Sequence, residues 1–170
     1  MKKISTKQVV IIGLLTAMQV VLSRFLSINA WNIKIGFSFV PVFIAAWALG
    51  PVQGALVAGL GDFLGAILFP IGPYFPGFTL SCALQGLIFG LLLHKEQTFP
   101  RILAAAVLNQ FGVSLFLTTL WISILYSSPY GVLLVTRVVQ AALLCAVEFT
   151  TVTALTRGTS VIRRQLSAAR

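Results

Sequence analysis

Charge is what this chain has least of. Only 9% of its 170 residues are charged, against roughly 25% in a soluble domain, and three are acidic: Asp62, Glu96 and Glu148. Carboxylates on three separate segments do not make a paired site for metal–phosphate chemistry. A single histidine, His94, leaves no cluster for a metal and no Ser–His dyad inside the apolar part of the chain. Cys82 and Cys145 stand alone within apolar runs, as small buried hydrophobes do, rather than as a disulfide or metal pair. No G-x-x-x-x-G-K-[ST] stretch occurs, since Lys95 follows His94, so the chain carries no P-loop. These absences argue against an enzyme, a metal site or a resident cofactor. No Ser- or Gly-rich linker and no clear internal repeat divides the chain, so one domain over 1–170 is expected.

What is present is hydrocarbon. Hydrophobic residues make up 58% of the chain and the mean hydropathy is +1.00. The stretch 9–156 is nearly continuous in apolar runs of about 20 residues, each long enough to cross a bilayer as a helix. The start, Met1-Lys2-Lys3, resembles the basic end of a signal peptide. The apolar stretch behind it is too long for one and lacks a small-residue cleavage site, so it is expected to remain as the first span.

The expected fold is an all-α integral membrane protein, a six-transmembrane-helix bundle. Its spans fall at about 7–25, 37–49, 52–69, 78–93, 101–126 and 132–155, and a basic tail occupies 157–170. Gly50-Pro51 reverses the chain between the second and third spans. Pro70, Pro73 and Pro76 remove backbone donors and predict an ordered, non-helical segment over 70–78. The segment 26–36, with Asn29, Trp31, Asn32 and Lys34, reads as an outer loop.

A net charge of +9 points to nucleic acid in a soluble protein, but the positions of the charges say otherwise. With both termini cytoplasmic, nine of the twelve Lys and Arg lie on that side, and only Arg24, Lys34 and Arg137 fall toward the outside. That asymmetry sets topology, and the basic tail then rests against anionic lipid headgroups.

Polar residues inside a membrane are costly and usually face the bundle interior or a watery cavity. Here they are Arg24, Asp62, Gln85, Asn109, Gln110, Arg137, Gln140 and Glu148. Arg137, Gln140, Leu144 and Glu148 share one stripe of the last span by helical spacing. Two readings stand. In one, Arg24 or Arg137 neutralises Asp62 and the amides are interhelical glue. In the other, two arginines exceed what Asp62 requires and leave positive charge for the carboxylate of a flat, aromatic, anionic ligand. Phe37, Phe39, Tyr74, Phe75, Phe78 and Trp121 are available to wall such a ligand. On the first span, Gly13 and Ala17 form a small-xxx-small pair, suited to close helix approach inside the bundle or against a partner. Gly54, Ala58, Gly61 and Gly65 are expected to pack internally.

Four strings carry a family resemblance: Leu22-Ser23-Arg24-Phe25-Leu26-Ser27-Ile28, Lys34-Ile35-Gly36-Phe37-Ser38-Phe39-Val40-Pro41, Gly61-Asp62-Phe63-Leu64-Gly65 and Tyr74-Phe75-Pro76-Gly77-Phe78-Thr79-Leu80-Ser81. They resemble the folate-specific S components (FolT type) of energy-coupling factor (ECF) transporters, most densely over 22–93. The resemblance implies a multi-pass subunit of a prokaryotic plasma membrane that captures folate from outside. It would dock, through small residues such as Gly13 and Ala17, on a transmembrane scaffold driven by two cytoplasmic ATPases. The substrate-contacting arginine of the family falls on Arg24. Asp62, with amides from Gln85 or Asn109, is then available to read the pterin edge, and Arg24 or Arg137 to stack or meet the glutamate tail. Tyr74, Phe75, Phe78 and Gln140 complete the expected substrate site. An S component for another flat vitamin such as riboflavin, a stand-alone transporter and a structural membrane subunit remain as alternatives.

Overall fold

Glycine and proline punctuate this chain where its helices turn. The computed structural model describes residues 6–29 and 34–168, with side chains over 6–28 and 35–158. Lys2, Lys3, Trp31 and Asn32, singled out above, and Arg170 of the basic tail lie outside the described residues, and of Arg163 and Arg164 in that tail only the backbone is described. Helix α1 (Thr6–Arg24) leads into two short antiparallel strands, β1 (Ser27–Asn29) and β2 (Lys34–Gly36), with Ile28 opposite Ile35. The expected outer loop is therefore a small hairpin, the one departure from helix among the described elements.

Helix α2 (Phe39–Leu49) ends at Gly50, whose φ of 118° favours glycine, and α3 (Pro51–Leu68) starts at once with proline in its first turn. Helix α4 (Pro76–Leu93) likewise begins on a proline. Of the three prolines at 70, 73 and 76, the last opens a helix, because the first helical position needs no backbone donor. Helix α5 (Phe99–Val107) passes without a break into a π-helical stretch, Leu108–Thr118, and then α6 (Thr119–Tyr126). After a turn with Ser127 in the left-handed region (φ 50°), α7 (Tyr130–Ala168) runs on through most of the basic tail.

Among the described residues, five helices are long and apolar enough to cross a membrane: α1, α3, α4, the continuous run Phe99–Tyr126, and α7 over Tyr130–Gly158. Helix α2 is shorter, at 11 residues. At 1.5 Å per residue it is about 16 Å long, roughly half the thickness of a hydrocarbon core. It is also the most enclosed helix, packed against α1, α3, α4 and α7. Val42, Phe43, Ala45 and Ala46 are buried, and the Phe43 ring meets Trp47 and Phe89 at centroid distances of 6.5 and 5.8 Å.

Lipid tails are as apolar as these side chains, so close backbone approach rather than hydrophobic burial draws such helices together. The α3–α4 seam shows how. A Cβ on Gly86 would collide with the Gly54 carbonyl, and one on Gly90 with the backbone of Pro51. Large apolar residues such as Val10, Leu14, Leu91, Val135 and Val139 lie outward and more than half exposed, as a lipid-facing surface requires.

Candidate binding site

Spacing along four elements converges on one cavity of about 160 Å³. Helix α2 and the residues before it contribute Ser38, Phe39 and Val42; α4 contributes Cys82, Gln85 and Phe89. The π-helical stretch contributes Gln110, Ser114 and Thr118, each four residues apart, and α7 contributes Arg137, Gln140 and Leu144. Gln19 and Ala58 close the side formed by α1 and α3, and Gly36 at the end of the hairpin reaches the lining.

Four glutamine amides and one guanidinium thus face a space lined by no carboxylate. Gln19 is buried and donates from Nε2 to the Ala58 carbonyl at 3.3 Å. Its side chain lies against Gly61, where any Cβ would strike it, so that glycine makes room for a polar group. Arg137 is 5% exposed. Its Nη2 donates to the Ser114 carbonyl at 3.4 Å, while Nε and Nη1 are buried without a hydrogen-bond partner. Among the described residues no carboxylate pairs with it; the ion pairs are Arg24–Asp62 and Arg101–Glu96. A buried cation with unused donors, beside amides that can both donate and accept, suits an anionic ligand with a polar edge.

Five other predicted residues form two groups outside this lining. Arg24 sits five residues beyond Gln19, about 7 Å along α1. Its Nη2 donates to the Asp62 carbonyl at 3.4 Å and lies 3.8 Å from the Asp62 carboxylate. Asp62 also accepts from Thr79 Oγ1 at 2.9 Å, and Thr79 shares a 3.2 Å hydrogen bond with the Tyr74 hydroxyl. The chain Arg24–Asp62–Thr79–Tyr74 ties α1, α3 and the start of α4 together, and here the arginine does have its counter-charge. Phe75, Phe78 and Trp121 form an aromatic cluster with centroids 5.6 and 6.1 Å apart, pinned by a Trp121 Nε1 bond to Ser81 Oγ at 3.1 Å.

Asn109 lies behind the cavity. Its Nδ2 donates to Glu148 Oε1 at 3.1 Å, and its neighbour Gln110 donates from Nε2 to the other oxygen of the same carboxyl group. Successive α-helical residues point roughly 100° apart. The wider π turn lets two consecutive amides serve one acceptor, a local irregularity of the kind often found at functional sites. Sequence reasoning left out Gln19 as a site residue, although a glutamine in the middle of an apolar span is itself the signal. Gly13 and Ala17 are exposed on the outer face of α1, and no heavy atom lies within 4 Å of where a Gly13 Cβ would be.

A helical membrane bundle around a cation-bearing polar cavity is the form of a solute-binding subunit, and comparison with known proteins agrees. The family model described as the ECF-type riboflavin transporter, S component, matches residues 3–157. The chain belongs to this family of ECF transporter S components. Within it the chain is similar to proteins named for folate. The folate transporter FolT of Clostridium novyi (strain NT) is 36% identical over 145 residues, 85% of this chain and 83% of that protein. FolT of Leuconostoc mesenteroides is 28% identical over 130 residues, 75% of this chain and 70% of that protein. A crystal structure of FolT bound with folic acid superposes with a TM-score of 0.84 at 30% identity, covering 89% of this chain and 93% of that one.

Proposed function

We propose that this protein captures folate from outside the cell and delivers it inward as the S component of an ECF-type importer. The observation that carries the substrate is Arg137: a buried guanidinium with no carboxylate of its own, in a cavity whose other polar side chains are mainly amides and hydroxyls. Folate brings what is missing, carboxylates on its glutamate tail and a flat pterin edge of donors and acceptors. Riboflavin has a similar flat ring but no carboxylate, so the cavity favours folate although the matching family model bears riboflavin's name. Gln19, Gln85, Gln110, Arg137 and Gln140 make the inner contacts. Arg24, Asp62, Tyr74, Phe75 and Phe78 form an outer rim that orders over the ligand, and Asn109 supports the site from behind.

In this reading α2 is the sixth span, lengthened toward the outside by the hairpin, and both termini are cytoplasmic in a prokaryotic plasma membrane. The chain has no P-loop, so a transmembrane scaffold and two ATPases supply the work, with the exposed Gly13 and Ala17 as the docking face. The test is thermal unfolding of detergent-purified protein with folate, riboflavin, biotin or thiamine. Ligand at a hundredfold over its Kd stabilises by about 2.7 kcal/mol, so folate alone should raise the midpoint by several degrees. A shift with riboflavin alone would replace the substrate, and no shift in folded protein would remove the binding role.

A further inference from the structure

The hairpin has two unlike faces. Its register pairs Ile28 with Ile35 and, carried one residue past the Ser27–Gly36 pair, sets Leu26 beside Phe37. Opposed residues of an antiparallel pair share a face, and successive residues alternate between faces. Leu26, Ile28, Ile35 and Phe37 therefore make one face of large apolar side chains, all of them exposed and Ile28 by 74%. The other face includes the Ser27–Gly36 pair, and Gly36 lines the cavity. The apolar face thus points away from the cavity, and the described part of the bundle does not cover it.

Two observations say what does cover it. The first is depth. Ser27 Oγ donates to the Ser23 carbonyl at 2.6 Å, and the Phe25 and Phe69 rings meet at 5.1 Å, so the base of the hairpin lies level with the outer ends of α1 and α3. Those helices have 19 and 18 residues, about 28 Å of length, which brings their ends to the edge of the hydrocarbon core. The second is continuity. Leu14, Met18, Val21 and Phe25 are exposed along one stripe of α1, at the spacing of a single helix face, and the stripe leads directly into Leu26.

We propose that this face is a membrane-contact surface: the hairpin lies in the outer interface of the bilayer, with Leu26, Ile28, Ile35 and Phe37 among the upper ends of the acyl chains. Its strand edges stay at the level of headgroup water, because unpaired backbone groups are not tolerated deeper in hydrocarbon. At Gly36 the cavity wall is then one strand thick, with the cavity on one side and lipid on the other. The proposal rests on the membrane-spanning helices and holds whatever the ligand is.

The test places the full-length protein in phosphatidylcholine vesicles containing a phosphatidylcholine with a photoactivatable diazirine on its acyl chain. Mass spectrometry should find lipid adducts on the hairpin face at Leu26, Ile28, Ile35 or Phe37, as it should on Leu14 of α1. Depth is read separately from a nitroxide attached at Ile28→Cys, in a chain with Cys82→Ala and Cys145→Ala. Its collisions with oxygen, which dissolves in lipid, are compared with those of a nickel chelate, which stays in water. The label should lie about 5–10 Å into the boundary between headgroups and acyl chains. Adducts on Leu14 with none over residues 26–37 overturn the proposal. So does a label that meets the nickel chelate freely, which puts the face in water. A label shielded from both reagents overturns it too, since a second copy or another segment of the chain then covers the face. Should the cysteine variant not fold, the adducts on the unaltered protein decide alone.

Discussion

Arg137 is held at a cost to the fold, since a buried charge without a partner loses its hydration and receives only the Ser114 carbonyl in exchange. Replacing it with an apolar side chain of similar length should therefore stabilise the empty protein while spoiling the site. Arg137→Met is expected to raise the unfolding midpoint of ligand-free protein, by about 1–3 kcal/mol in stability. It should also weaken folate at least about 30-fold, the usual cost of removing one partner of a buried charge pair; calorimetric titration and thermal unfolding read the two effects separately. Arg24→Gln should go the other way in the empty protein. It leaves the Asp62 carboxylate without its cation and should lower stability by about 1–3 kcal/mol in the same unfolding assay. If both variants move the empty protein in the same direction, the assignment of one paired and one unpaired arginine is wrong. The sequence shows both arginines as outward cations over a single Asp62, and hydropathy treats them alike. The α1–α3 contact across 38 residues tells them apart, and no periodicity encodes it.

At the scale of elements, the long apolar runs were legible because a bilayer demands about 20 such residues per crossing. The reversal at Gly50-Pro51 was legible because both residues have fixed backbone preferences, whereas Pro76, expected inside a non-helical segment over 70–78, opens α4. Two elements were not. The hairpin rests on three-residue strands too short to show alternation. The π-helical stretch has the same apolar content as an α-helix and differs only in winding, yet it sets Asn109 and Gln110 on one carboxyl group. Packing of the elements can be probed by one substitution at two places. Gly90→Ala puts a methyl group into the Pro51 backbone, which cannot yield as a side chain would, and overpacking of this kind costs about 1–3 kcal/mol or more. Gly13→Ala meets nothing within 4 Å and gains helix propensity, so it should leave stability unchanged or raise it by up to about 1 kcal/mol. Thermal unfolding of the isolated chain should show these opposite signs; equal losses would mean that α1 is packed on both faces.

The whole molecule combines a polar cavity with a sequence that contains no P-loop. In the proposed function the transport step comes from contact with other chains, and that contact needs a face the bundle does not use. Gly13 and Ala17 supply one: they are a turn apart, exposed and small, so another helix can approach α1 closely there. The opposite side of α1, with Leu15, Thr16 and Gln19, is buried against the bundle. Binding and delivery should therefore separate genetically. Gly13→Leu adds bulk only to the outer face, so the purified variant should bind folate with wild-type affinity and unfold at the wild-type temperature. In cells that also supply the scaffold and two ATPases, the same variant should lose energised folate uptake by about tenfold or more, the effect of about 1.4 kcal/mol or more at a helix interface. It should also fail to co-purify with the scaffold. Uptake and co-purification at wild-type levels would show that the docking face lies elsewhere. Loss of folate binding by the isolated variant would instead show that α1 is held from both sides, and that capture and delivery share one structural element.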